Sequence, residues 1–179
     1  WNFPAAMIAR KLGPALAAGC TAVCKPAEDT PLTALALGVL AQKAGMPEGV
    51  LNIITGDAQA IGGELTQNPD IRLITFTGST EVGKLLMRKA ADTAKKVDEE
   101  LGGNTKCIVS EDADIKKAVD GCIASKFRNS GQTCVCANRI FVHEDIYYSF
   151  STALMEAVKK LKLGDGFEKG VTQGPLINE

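Results

Sequence analysis

Apolar positions along the chain switch repeatedly between helical spacing and short continuous runs, which predicts alternating helices and strands. Residues Ala5 to Ala18 are rich in Ala, Leu, Ile and Met and read as a helix, stopped by Gly19. Cys20-Thr21-Ala22-Val23-Cys24 is short, apolar and partly β-branched, a buried-strand pattern ended by Lys25-Pro26. Pro31 to Ala44 is a helix with Pro near its start and Gly45 after its end. Val50 to Ile54 reads as a second strand, Asp57 to Gln67 as a third helix and Ile71 to Phe76 as a third strand. Ser79 then caps a helix carrying Val82, Leu85, Leu86 and Ala90 on one face. After Gly102-Gly103 the alternation restarts with strand 107–109, helix 115–126, strand 139–142 and helix 146–162.

Short connections between alternating strands and helices predict an α/β fold, a parallel sheet with helices packed on its faces. The glycine pair divides the chain into 1–101 and 102–179, although it could equally be one tight turn inside a single domain. Composition adds exclusions. Lys plus Arg number 20 against 21 Asp plus Glu, so a net charge of -1 offers no electrostatic reason to expect nucleic acid or an acidic membrane surface. No apolar run approaches a membrane span. The six cysteines do not suit a disulfide framework, because the chain has long apolar segments. Nor do they suit a metal, since no C-x-x-C pair exists and His143 is the only histidine. Reduced thiols in a reducing intracellular compartment are expected. The chain opens on Trp1-Asn2-Phe3-Pro4 and stops at Pro175-Leu176-Ile177-Asn178-Glu179, so it reads as an internal piece and its lack of a leader is uninformative.

Three segments are candidates for chemistry. Phe76-Thr77-Gly78-Ser79-Thr80-Glu81-Val82-Gly83 puts small residues at the end of a strand and the start of a helix, where open α/β sheets bind anionic ligands. Its spacing is not G-x-G-x-x-G, and a well-capped helix would look the same. Gly131-Gln132-Thr133-Cys134-Val135-Cys136, after Phe127-Arg128-Asn129-Ser130, reads as a loop in which a thiol can be approached by substrate. An idle thiol is the alternative, and a Cys–His hydrolase would depend on His143, which reads as an exposed turn residue. In Glu99-Glu100-Leu101 the adjacent carboxylates on a strand point to opposite faces, so at most one serves a given site. A solvated surface pair would fit equally.

Taken together and in order, Trp-Asn-Phe-Pro at 1–4, Lys-Pro-Ala-Glu at 25–28, Phe-Thr-Gly-Ser-Thr at 76–80, Glu-Leu-Gly-Gly at 100–103 and Gly-Gln-Thr-Cys at 131–134 resemble the aldehyde dehydrogenase superfamily over the whole chain. Arg10, Lys-Pro-Ala-Glu-Asp-Thr-Pro-Leu at 25–32, the stretch 125–139 and the Gly-Asp-Gly-Phe…Thr-Gln-Gly-Pro-Leu-Ile-Asn run resemble its succinate-semialdehyde dehydrogenase branch. The resemblance implies a partial Rossmann-like NAD-binding domain over 1–101 and a partial α/β catalytic domain over 102–179, incomplete at both ends. It further implies a small-molecule aldehyde substrate, a homo-oligomeric parent (dimer or tetramer), and a mitochondrial-matrix or cytosolic setting. The isolated piece is expected to be inactive. The alternative is a non-catalytic truncated product or pseudoenzyme that binds nucleotide or a partner.

Residue by residue, the resemblance makes Cys134 the nucleophile that adds to the aldehyde carbonyl. Asn2, with the Cys134 backbone N–H, would stabilise the oxyanion. Glu100 would activate water for deacylation. Lys25, Pro26, Ala27 and Glu28 would hold the adenine-side ribose. A carboxylate at Glu28 repels a 2′-phosphate, which favours NAD over NADP. Gly78, Ser79, Thr80, Glu81, Val82 and Gly83 would receive the pyrophosphate. Arg10 and Arg128 would bind the carboxylate at the far end of the substrate. Cys136 resembles the partner of Cys134 in a reversible disulfide. Two departures stand out: Thr105-Lys106 where the family has Ala-Pro, so the strand may start differently, and Cys24 where an aliphatic residue is usual.

Overall fold

The computed structural model describes residues 1–178. The chain divides into two compact units, Trp1–Leu101 and Gly102–Glu179. In the first, α1 (Pro4–Ala17) begins with Pro4, whose missing N–H costs nothing in a first turn. It ends where Gly19, at φ 77°, lets the Cys20 N–H reach back to the Ala15 carbonyl at 2.9 Å. β1 (Ala22–Cys24), α2 (Leu32–Lys43) and β2 (Leu51–Ile53) form a βαβ unit with β1 and β2 parallel, Ala22 opposite Leu51 and Cys24 opposite Ile53. α3 (Ala58–Gln67) follows, its first turn closed by the Ala60 N–H donating to the Asp57 carboxylate at 2.7 Å.

A second parallel pair joins β3 (Leu73–Gly78) to β4 (Lys96–Leu101) through α4 (Thr80–Ala91). The register sets Thr75 beside Asp98, Phe76 beside Glu99 and Thr77 beside Glu100. Because side chains alternate, Thr75, Thr77 and Glu100 share one face, and Ile74, Phe76, Glu99 and Leu101 the other. α1 lies on the first face, where the Lys11 Nζ donates to the Thr75 hydroxyl at 2.9 Å. α4 lies on the second so closely that a Cβ on Gly83 would stand 2.6 Å from Leu101 Cδ2 and 2.9 Å from Glu99 Oε2.

The chain leaves α4 through Ala94 at φ 52°, with the Lys95 N–H donating to the Ala90 carbonyl at 3.2 Å. Gly19 and Gly45 make the equivalent exits from α1 and α2 without a Cβ in the left-handed region. Relieving that strain in Ala94→Gly should stabilise the protein by about 0.5–1 kcal/mol, the gain being reduced by the greater freedom of the unfolded glycine chain. Urea midpoints of the two forms would check this, and a lower midpoint for the variant would contradict it.

In the second unit β5 (Thr105–Val109) pairs in parallel with β6 (Ala137–Val142) through α5 (Ile115–Lys126), and α6 (Tyr147–Val158) packs against α5. Strand β5 begins at the unusual Thr105-Lys106, and its register with β6 shifts between those two residues. Val109, Val119, Cys122 and Phe150 form the core, with Ile123, Ile140, Val142 and Leu154 packed around it. Cys107 and Cys122 place their Sγ atoms 3.6 Å apart, and burial together with the neighbouring thiol pushes the Cys122 thiol up to about 11.

The alternation expected from sequence is present, but as three two-stranded parallel sheets among the described residues rather than one continuous sheet. Large apolar side chains correspondingly remain uncovered. Leu32, Leu35, Val39 and Leu40 of α2 and Ile108 of β5 are exposed, and an apolar groove runs along α6 past Tyr147, Leu154 and Met155. No helix among the described residues is long and apolar enough to cross a membrane.

Candidate functional site

The first unit carries its candidate residues at the C-terminal ends of parallel strands and on α1. Strand β1 runs directly into Lys25, Pro26, Ala27 and Glu28. The Lys25 Nζ donates to the Glu28 carboxylate at 2.5 Å and to the Pro26 carbonyl at 2.8 Å, while Pro26 is buried. The Lys25 side chain is largely enclosed and that of Glu28 mostly exposed. This hydrogen bond, together with one from the Glu28 backbone, holds the Glu28 carboxyl below its ordinary value. Next to it, burial raises the Cys24 thiol, an effect opposed by the charge on Lys25.

Strand β3 runs into Gly78 and Ser79 at the start of α4. The Val82 N–H donates to the Ser79 hydroxyl at 3.3 Å, and the Gly83 N–H to the Ser79 carbonyl at 3.0 Å. Gly78 has to be small, because a Cβ there would lie 2.3 Å from the Phe76 ring. The positive end of α4 begins at the small residues Gly78, Ser79 and Thr80, with the Glu81 carboxylate in the first turn. A cation, a carboxylate and a small-residue helix start at the ends of parallel strands form a donor set that fits a dinucleotide.

Asn2 lies half-buried in the segment just ahead of α1. Arg10, on the same helix, donates from Nη1 to Glu100 Oε2 on β4 at 2.8 Å, the two side chains being 49% and 42% exposed. The adjacent carboxylates diverge as the strand geometry requires. Glu100 turns to α1, whereas both Glu99 oxygens are buried beneath α4 without a hydrogen-bond partner. The Thr77 hydroxyl, beside Glu100 in the register, is also buried without one.

In the second unit Cys134 lies, half-buried, in the loop between α5 and β6. The loop is irregular at its start: Asn129, Ser130 and Gly131 lie at φ 51°, 56° and 80°, and two of them are not glycine. Hydrogen bonds hold this conformation. The Asn129 amide donates to the Gln132 carbonyl, the Gln132 amide to the Asn129 carbonyl, and the Thr133 hydroxyl to the Arg128 carbonyl. The segment 173–177 braces it further, through the Gly174 N–H to the Ser130 hydroxyl at 3.1 Å and the Ile177 N–H to Gln132 Oε1 at 2.9 Å. The Cys136 N–H closes a turn onto the Thr133 carbonyl, and Cys136 is buried. Both cysteines are free thiols, and Arg128 is exposed at the end of α5.

His143 sits in a turn between Glu111, at 3.7 Å from Nε2, and Asp145, at 3.6 Å from Nδ1. These three form the only group of potential metal-ligating side chains among the described residues. All are exposed. Sequence reasoning had no means to find the Arg10–Glu100 pair or the bracing of the cysteine loop by segment 173–177, because both join residues far apart in the chain.

Residues 1–179 match the model of the aldehyde dehydrogenase family. The chain is 61% identical over 179 residues to an Escherichia coli (strain K12) succinate-semialdehyde dehydrogenase whose name specifies NADP(+), covering all of this chain and 37% of that protein. It is 60% identical over 178 residues to a glutarate-semialdehyde dehydrogenase of Pseudomonas putida, covering 99% of this chain and 37% of that protein. Among solved structures, succinate-semialdehyde dehydrogenase from Burkholderia pseudomallei matches with a TM-score of 0.98 at 62% identity, over 100% of this chain and 37% of that one. The chain thus spans about 37% of the length of the relatives it matches. Its α/β arrangement with parallel strands is that of aldehyde dehydrogenase structures.

Proposed function

The chain belongs to the aldehyde dehydrogenase family, and from that premise we propose that it is part of an enzyme oxidising a short semialdehyde with a distal carboxylate. The observation that carries this reading is the setting of Cys134: an accessible thiol on a loop whose unusual backbone is held by hydrogen bonds on both sides. A reactive group on a strained, over-braced loop is pre-organised rather than idle.

In this reading the Cys134 thiolate adds to the aldehyde carbonyl, and Asn2 donates to the oxyanion of the thiohemiacetal. A nicotinamide dinucleotide held by Lys25, Glu28, Gly78 and Ser79 would supply the acceptor for the hydride of this carbon, which leaves the acyl group on Cys134 as a thioester. Water then attacks the thioester carbonyl, its proton passes to Glu100, and the carbon–sulfur bond breaks to restore the thiolate. Lys25 and Glu28 hold the ribose, and the helix start at Gly78 and Ser79 takes the pyrophosphate.

The Lys25–Glu28 pair alters the expected cofactor preference. A carboxylate already neutralised by a lysine repels a 2′-phosphate weakly, and the lysine attracts it. The E. coli relative's name specifies NADP(+), so NADP is at least as good a candidate as NAD. Domain roles follow the two units: 1–101 for the dinucleotide, 102–179 for the nucleophile. Exposed Leu32, Leu40 and Ile108 support the reading that the 179-residue chain by itself does not turn over.

The test uses the full-length protein with succinate semialdehyde, glutarate semialdehyde and butanal, following NAD(P)H with either cofactor. Carboxylated aldehydes should be preferred. Arg128→Ala should remove a charge-assisted contact of about 2 kcal/mol and so raise KM for them roughly thirtyfold. Nucleotide binding without NAD(P)H from any aldehyde would replace this reading with a non-catalytic one.

A further inference from the structure

The two residues assigned to different ends of the proposed reaction are bonded to each other. Arg10, the candidate partner of the substrate's distal carboxylate, donates to Glu100, the candidate base, at 2.8 Å. We propose that Arg10 is a positioning residue that keeps Glu100 occupied until a carboxylate on the substrate replaces it. The inference rests on the enzyme reading given above.

The Nη1–Oε2 bond holds the Glu100 carboxyl toward α1, so swinging it to a water elsewhere requires that bond to be released. The pair is nevertheless easily exchanged, because both side chains are about half exposed and solvent screens them. An incoming carboxylate offers the same guanidinium the same kind of acceptor that Glu100 Oε2 now provides, so the exchange replaces like with like. It also needs only side chains to move. Lys11, next to Arg10, ties α1 to β3 through the Thr75 hydroxyl, so the helix stays docked while Arg10 changes partner. Glu99 cannot substitute for Glu100, since it lies on the opposite face of β4 beneath α4.

The consequence is selectivity in the hydrolytic half of the reaction. An aldehyde without a carboxylate would acylate Cys134 but leave Glu100 paired. Water addition to the thioester, with its proton passing to Glu100 and the electron pair of the carbon–sulfur bond to Sγ, would then lag. A semialdehyde with a distal carboxylate would free Glu100 on binding.

The experiment is rapid mixing of the full-length enzyme with butanal and with succinate semialdehyde, following NAD(P)H. Wild type should show a burst and a slow steady rate with butanal, and little or no burst with succinate semialdehyde. Arg10→Gln should raise the butanal steady rate by about threefold or more, while lowering kcat/KM for succinate semialdehyde by about tenfold or more. Arg10→Lys, which keeps a charged partner for Glu100, should leave butanal slow. Propionate added to wild type should accelerate butanal turnover, which tests the exchange without any variant. A butanal rate that is unchanged or lower in Arg10→Gln, together with no effect of propionate, would overturn the inference while leaving the enzyme reading intact. Failure of every aldehyde to give NAD(P)H would remove both.

Discussion

Replacing Cys134 with alanine should lower NAD(P)H formation by at least about a thousandfold in the full-length protein, because the covalent route is lost and only binding and oxyanion stabilisation remain. The size of the effect follows from the chemistry of the proposed cycle. Both the thiohemiacetal and the thioester are built on this one sulfur, and neither Cys136 nor Cys122 offers a replacement. Cys136, two residues on, is buried, and Cys122 is buried with its thiol pushed up to about 11. The fold should survive the change. The Cys134 side chain is only half-buried, and the loop is held by Asn129, Ser130, Gln132 and Thr133 rather than by the sulfur. Steady-state rates with succinate semialdehyde, alongside a urea unfolding curve, would separate loss of chemistry from loss of fold. Rates that persist at the wild-type level would end the covalent mechanism. His143→Ala supplies the contrast, since His143 lies in an exposed turn between two carboxylates and should be dispensable.

The second large effect is on stability. Phe150→Ala should destabilise the protein by about 3–5 kcal/mol, a substantial part of the 5–15 kcal/mol that holds a typical domain together. Phe150 is 2% exposed and packs with Val109, Val119 and Cys122 at the centre of the second unit. Its flank along α6 opens onto the groove past Leu154 and Met155, which permits some collapse and sets the loss toward the lower end of the range. Phe167, fully exposed, is the matched control, and its alanine variant should shift stability by no more than about 0.5 kcal/mol. Equal urea midpoints for Phe150→Ala and wild type would show that this cluster is not the core of the unit.

Local signals predicted the elements well, and their errors have identifiable causes. Helix α5 matches the sequence expectation at both ends, because Asp114 caps it by accepting the Lys117 N–H and the carbonyl of Ile123 is met by Phe127. The first strand was expected from Cys20 but starts at Ala22, since the Cys20 N–H is used to close α1 on Ala15. The third strand was expected to end at Phe76 but continues to Gly78, where Glu100 and Leu101 pair with Thr77 and Gly78. The last helix was expected to reach Lys162 but stops at Val158. Beyond it the Lys162 carbonyl accepts the N–H groups of Thr172 and Gln173.

The candidate site divides in the same way. The sequence by itself determined the alternating elements, the cap at Ser79, and the motifs around Lys25, Gly78, Glu100 and Cys134 that carry the family resemblance. Those depend on neighbours within a few residues, where backbone geometry leaves few choices. Only the tertiary structure decided that Arg10 holds Glu100 across 90 residues and that Gly174 and Ile177 brace the cysteine loop from about 45 residues away. Such contacts depend on which strands pair and which helix lies on which face, and those choices are made by packing between distant segments rather than by any local pattern.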